Sequence, residues 1–346
     1  MTTKTKREPS WLVRKWKSEP LLSTGMALLV LALLQIGVLI WKQGPSSMAE
    51  FMPQWTGNWR NILVNNASVG MIALGMTFVI ILGGIDLAVG STLVGVGTLV
   101  MVMIDTGPNG VLGRIGIAGI PAYIIAIIAG LLLGIVLGAI NGIFVTRGNV
   151  PPFIATLGAM KIIRSVTQHF MQTHTPAVPK DFLNIANLRV GGQIILPAVY
   201  WLIMAVVMHV ISRHTAFGRH VFAVGSNERT TRLSGINVNW VKQRVYALMG
   251  LIVGIAAVIQ ASRMGSMNPE NAGLGYELDA IAAVIVGGTS MAGGRGSIVG
   301  TVIGMLIIGV MNNLLNLVGV PPFLREAFKG AIVIFAVLLQ RKQADN

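Results

Sequence analysis

An all-α integral membrane protein of about ten transmembrane helices, arranged as two inverted five-helix repeats, is the fold class this sequence predicts. Three observations predict it. Hydrophobic residues make up 53% of the 346 and charged residues 11%, with a mean hydropathy of +0.72, outside the soluble globular range. Lys and Arg collect on alternate connections between long apolar runs. The tetrapeptide "VPPF" occurs at Val150–Phe153 and again at Val320–Phe323, an offset of 170 residues and close to half the chain.

Residues 1–20, with "KREPSWLVRKWKSEP", read as a basic cytoplasmic arm. The apolar run 23–41 is too long for a signal core and no small-x-small cleavage site follows, so it reads as a retained membrane helix. Further segments fall near 61–83, 88–104, 119–144, 150–172, 193–212, 244–262, 276–291, 297–317 and 321–340. Lys161, Arg164 and His169 make the fifth amphipathic, as in a partly buried or re-entrant segment.

With the N-terminus inside, 16 Lys and Arg fall on the cytoplasmic side and 6 outside, while Lys161, Arg164, Arg325 and Lys329 lie within segments. That asymmetry supports a multi-pass protein with both termini in the cytoplasm. It also accounts for the excess of 26 Lys+Arg over 12 Asp+Glu without a nucleic-acid partner. The lipid bilayer is the expected partner. With no cysteine there is no disulfide, thiol nucleophile or thiolate metal site.

The flanks extend the repeat. "GAINGIFVTRGNVPPF" and "GVMNNLLNLVGVPPF" align Gly138 with Gly309, Asn141 with Asn312 and Gly148 with Gly319, one residue being deleted before the valine. The same offset carries segment 23–41 onto 193–211. The repeat units are 21–172 and 193–341, the second including a long cytoplasmic loop, 213–244. Five spans per unit is odd, so the second copy enters the membrane from the opposite side. Pro-Pro lets a helix begin but not continue, so each "VPPF" is a helix start. "LGGIDLAVG" (82–90) also resembles "VGGTSMAGG" (286–294), but at an offset of 204, and reads as glycine-rich coincidence or convergent loop use.

Small residues recur in "GLLLGIVLGAING" and "GTVIGMLIIG", the spacing of closely packed membrane helices. Polar side chains at membrane depth are costly unless they face a cavity or a partner. Asn65, Asn66, Asn141, Thr156, Asn312 and Asn313 are neutral hydrogen-bonding groups, suited to the path of a hydroxyl-rich solute; helix-to-helix hydrogen bonding is the equal alternative. Arg325 or Lys329 pairs with Glu326 or snorkels to an interface. Asp86 follows a glycine pair at a cytoplasmic turn, where it serves as a cap.

No GxxxxGK[ST] phosphate loop and no HExxH metal motif is present. The expectation is a chain with no catalytic residue, metal or cofactor of its own, driven by an ion gradient or by a separate ATPase. In loop 213–244, "SNERTTRLSGI" reads as a capped short helix stopped by Gly235, a docking surface below the membrane or a charged loop that fixes topology.

The stretches "GGIDLAVGS", "NGIFVTRGNVPPFIATLGAM", "FGRHVFAVGSNERTTRLSGINV", "GYELDAIAAVIVGGTSMAGGRGS" and "FKGAIVIFAV" resemble the permease subunits of bacterial ABC importers for ribose, galactose, xylose and arabinose. They span about 60–340, in the family's order. The resemblance implies a fold like that of the vitamin B12 importer permease. It implies import of a monosaccharide, ribose-, rhamnose- or galactose-like, across the bacterial inner membrane by alternating access. It also implies a second permease copy or paralogue, two cytoplasmic ATP-binding subunits that use the ATP and Mg, and a periplasmic sugar-binding protein. The ATPase-coupling residues it points to are Gly225, Asn227, Glu228, Arg232, Ser234, Gly235 and Ile236. Permeases for branched-chain amino acids, nucleosides or a furanone signal remain alternatives, as do an ion-coupled secondary transporter and a membrane scaffold without transport.

Overall fold

The computed structural model describes residues 20–44, 47–108, 110–172, 175–331 and 334. The basic arm before Pro20, most of the tenth expected segment, and Arg341 and Lys342 lie outside the described residues. In chain order the helices are α1 (Pro20–Gln43), α2 (Met48–Ile81), α3 (Val89–Met103), α4 (Val111–Arg114), α5 (Ile120–Thr146), α6 (Pro152–Met171) and α7 (Lys180–Asn187). After a hairpin of β1 (Arg189–Val190) and β2 (Gln193–Ile194) come α8 (Leu196–His214), α9 (Ala216–Ser226), α10 (Glu228–Leu233), α11 (Val238–Met264), α12 (Tyr276–Val286) and α13 (Ile298–Val318). Residues 322–331 are again helical.

Among the described residues six helices are long and apolar enough to cross a membrane: Ser23–Lys42, Met48–Ile81, Ile120–Thr146, Leu196–His214, Val238–Met264 and Ile298–Val318. The chain is therefore an all-helical, multi-pass membrane protein. Of the six, α2 and α11 are the most buried, and they pack on each other as the central pair. α1 lies at the rim, with Leu29, Leu33 and Leu34 exposed.

Around the central pair the packing is nearly unchanged when the two halves are exchanged. α11 carries α3 and α5, which touch each other; α2 carries α12 and α13, which also touch each other. Outside this core the correspondence ends: α1 rests on α13 whereas α8 rests mainly on α2, and α6 and α7 pack on α3 and α11. The glycine stripes make these contacts close. A Cβ on Gly134 would lie 2.5 Å from the Gly250 carbonyl oxygen, and one on Gly304 would lie 2.0 Å from that of Ala283, so α5 meets α11 and α13 meets α12 almost backbone to backbone.

Both "VPPF" segments start helices in the same way. Asn149 (φ 50°) and Gly319 (φ 86°) are left-handed, and a Val-Pro follows each. The Pro151 and Pro321 carbonyls then take the first backbone bonds, from Ile154 and Ala155 and from Leu324 and Arg325, again 170 residues apart.

Two of the expected spans are short. α12 has 11 residues rather than the span expected at 276–291, and α3 has 15, against the ~20 that a straight ~30 Å crossing needs. The connection 265–275 makes up the difference by running back along the bundle. A Cβ on Gly97 would meet Met267 Sδ at 2.6 Å, and one on Gly90 the Gly273 carbonyl at 2.2 Å. Arg164, the cation within α6, fastens this connection: Nη1 donates to the carbonyls of Pro269 (2.6 Å) and Ala272 (3.0 Å), and Nε to Ser91 Oγ (3.2 Å). α6 itself is one continuous helix of 20 residues.

Candidate functional site

On α2 and α13 the asparagines recur at helical spacing, so each set faces one way. Asn61, Asn65 and Asn66 face Asn312, Asn313 and Asn316 across a cavity of about 330 Å³. Arg325, Glu326 and Lys329, from the helix that the second "VPPF" starts, close it. Gly309 lets the walls approach, since a Cβ there would lie 2.9 Å from Asn66 Nδ2.

The cavity's polar groups are held in defined orientations. Asn313 Oδ1 accepts from the fully buried Gln35 Nε2 (2.7 Å), and its Nδ2 donates to Asn58 Oδ1 (3.1 Å). Asn66 Nδ2 donates to the Ile62 carbonyl (2.7 Å), Arg263 Nη2 donates to Asn65 Oδ1, and Arg325 Nη2 donates to Asn316 Oδ1 (3.0 Å). Lys329 Nζ lies 3.0 Å from both Asp279 Oδ2 and Glu326 Oε1. Asn312 Oδ1 is buried with no hydrogen-bond partner among the described residues. A buried acceptor without a donor is unfavourable unless something else supplies one.

Four of the six expected solute-path residues, Asn65, Asn66, Asn312 and Asn313, thus share one cavity. Asn141 and Thr156 are elsewhere. Asn141 is buried in α5, and Thr156 turns its hydroxyl back to the Pro152 carbonyl (2.8 Å). Asn61 and Asn316 were missed, although each lies four residues from an expected member, on the same helical stripe.

The expected coupling residues lie together at the end of the bundle where α2 stops. Thr215 caps α9, Asn227 Oδ1 accepts from Thr230 N (2.9 Å) to start α10, and Gly235 (φ 82°) follows its end. Asn237 then caps α11. Glu228 pairs with Lys242 (2.7 Å) and Arg232 (3.1 Å), and these cations, the Lys242 hydrogen bond first, hold its carboxyl below the usual range. Ser234 Oγ donates to the Thr230 carbonyl (3.1 Å), and Ile236 is half-buried against the core. α10 leaves Leu233 83% exposed, an uncovered apolar side chain beside Arg229 and Arg232.

Gly225 fixes this layer to the bundle. A Cβ there would lie 1.8 Å from the Ile81 carbonyl oxygen and 2.8 Å from Gly294 N, and Gly294 N donates to that same carbonyl (2.9 Å). The two similar glycine stretches that the repeat leaves unexplained, 82–90 and 286–294, therefore meet each other and Gly225. Their likeness belongs to one junction that needs little side-chain bulk.

The model of the family "Branched-chain amino acid transport system / permease component" matches residues 58–337. Over 292 residues the chain is 40% identical to the ribose import permease protein RbsC of Escherichia coli (strain K12), covering 83% of this chain and 86% of the relative. RbsC of Bacillus subtilis (strain 168) is 44% identical over 293 residues, 83% and 85% of the two chains. The D-allose transport system permease protein AlsC of Escherichia coli (strain K12) is 35% identical over 287 residues, 83% and 84%. No solved structure matches the chain. The chain therefore belongs to the branched-chain amino acid transport system / permease component family, as a permease of the sugar ABC-importer kind.

Proposed function

We propose that this chain is the membrane subunit through which an ATP-driven importer moves a monosaccharide of the ribose, allose or galactose kind across the bacterial inner membrane. The cavity of neutral asparagines carries the reading. Amide groups donate and accept at once, as hydroxyls do, so a ring of them exchanges hydrogen bonds with a sugar without a buried net charge. Asn312 Oδ1, which lacks a donor among the described residues, is the acceptor a sugar hydroxyl would satisfy.

In this reading ten spans form two inverted repeats, 21–172 and 193–341, on the plan of the vitamin B12 importer permease, with both termini cytoplasmic. The 170-residue offset and the exchangeable packing around α2 and α11 support that plan. The partners are a second permease copy or paralogue, two ATP-binding subunits that use ATP and Mg, and a sugar-binding protein. α10, with exposed Leu233, seats in the ATPase, and Gly225 passes its movement to the ends of α2 and α12. The closing of the ATPase pair then switches the bundle between two accesses.

Uptake of labelled ribose, allose and galactose by the reconstituted complex tests the proposal. Asn312→Leu is expected to lower uptake about five- to thirtyfold, the scale of one lost charge-free hydrogen-bonding site at ~1–2 kcal/mol, while ATP hydrolysis remains. Unchanged uptake in Asn312→Leu and Asn66→Leu would remove the cavity from the path. Transport by the chain alone in an ion gradient would overturn the ATP-driven reading.

A further inference from the structure

A second and larger cavity of about 840 Å³ opens between α2, α8 and α13. Its α2 wall, from Trp55 to Val64, follows one helical stripe and runs ~14 Å along the axis at 1.5 Å per residue, close to half of a ~30 Å hydrocarbon layer. The two ends differ in chemistry. Trp55, Trp59, Arg60 and Gln193 lie at one, while Leu202, Ala205, Val302 and Leu306 make the other apolar.

The polar end holds donors and no partners for them. The indole N–H groups of Trp55 and Trp59 are buried without an acceptor, and Arg60 has no ion pair, among the described residues, while the Trp201 indole lies against Gly70 of α2, beyond Val64. Tryptophan Nε1 can only donate, and an arginine fork matches a phosphate. An unpaired guanidinium at the end of a groove otherwise lined by carbon points to an occupant with an anionic head and CH₂ groups behind it. Tryptophan and arginine at the start of a membrane helix also place that end at headgroup level.

We propose that this groove is a binding site for an anionic phospholipid, its phosphate at Arg60 and one acyl chain lying along Leu202 and Leu306. Charge complementarity selects the occupant. A zwitterionic lipid brings its own ammonium to an uncompensated guanidinium, whereas phosphatidylglycerol brings only the anion.

The full chain in detergent, titrated with phosphatidylglycerol or phosphatidylcholine brominated on the acyl chains, reads this through tryptophan quenching. Saturable quenching is expected for phosphatidylglycerol at about fivefold lower mole fraction, the effect of one basic residue at an anionic surface. Arg60→Gln is expected to remove that preference and keep the quenching by phosphatidylcholine. Ala198→Phe, which fills the groove, is expected to reduce quenching by both. Equal quenching by the two lipids in the native chain, or a preference that survives Arg60→Gln, overturns the proposal. So does quenching by neither lipid, with cysteines at position 199 cross-linking two copies, which assigns the groove to a subunit contact.

Discussion

The α-carbon of Gly225 faces the carbonyl oxygen of Ile81 so closely that a single methyl group there would lie 1.8 Å from it. The neighbour is backbone that also accepts from Gly294 N, so it cannot turn aside as a side chain could. Gly225→Ala is therefore expected to cost ~1–3 kcal/mol as overpacking and to separate α9 from the end of α2. Uptake should fall sharply while membrane insertion persists. Thermal unfolding in detergent, alongside uptake, checks both. Gly235→Ala, where the added Cβ meets open space and only the φ of 82° is at stake, should cost less, ~1 kcal/mol.

Asp86 gives this region a pH dependence. It is 3% exposed in the turn between α2 and α3, with Oδ1 accepting from Ala88 N (2.9 Å). Burial pushes its carboxyl up to about 6, against the opposing pull of that hydrogen bond. A raised folded pKa favours the protonated form, so its stability contribution is complete below the unfolded value near 3.9 and is lost as pH rises through 6. The native chain should thus gain roughly 1 kcal/mol between pH 7 and pH 5 relative to Asp86→Asn. A melting-temperature difference between the two that stays flat over that interval would refute this.

Lys329 and Asp279 bind the cavity's end to α12. Their side chains are 18% and 17% exposed, so removing one charge strands the other in low dielectric. Lys329→Met is expected to cost ~3–5 kcal/mol, and Lys329→Met with Asp279→Asn to recover much of it. A double-mutant cycle by denaturant unfolding measures the coupling. Additive effects would mean the contact carries no energy.

These particulars show what the sequence could and could not reveal. The two Pro-Pro helix starts and the α10 segment are local, written in Pro-Pro, Asn227 and Gly235, and they were legible, whereas the Thr215 cap of α9 was not singled out. The asparagine cavity was two-thirds legible, because cost at membrane depth singles out polar residues but does not say which face each takes. Asn141 and Thr156 are neutral polar groups like the cavity members but lie on α5 and α6, away from the cavity. The meeting of 82–90 with 286–294 and the folding back of 265–275 are long-range contacts between backbones. Glycine, with no side chain to declare its partner, hides them. The α12 segment looked like a full span because its glycine-rich end remains apolar after the helix stops.

Asn149 is the only non-glycine with positive φ among the described residues, and Gly319 holds the matching place 170 residues on. Both must turn left-handed so that the following Val-Pro-Pro can leave one helix and aim the next. Asparagine tolerates that conformation and glycine accepts it freely. If the two turns are equivalent parts of a repeat, each should accept the residue that serves at the other. Asn149→Gly relieves strain but loosens the unfolded chain, so it is expected to change stability by under ~1 kcal/mol. Gly319→Asn should be tolerated nearly as well, because asparagine already works at the equivalent turn. Gly319→Val and Asn149→Val, with a branched Cβ at positive φ, should each cost ~1–2 kcal/mol or more and lower uptake together with yield. Parallel responses of the two sites in thermal unfolding support the equivalence; a harmless valine at one and a disruptive valine at the other would show that the turns carry different loads.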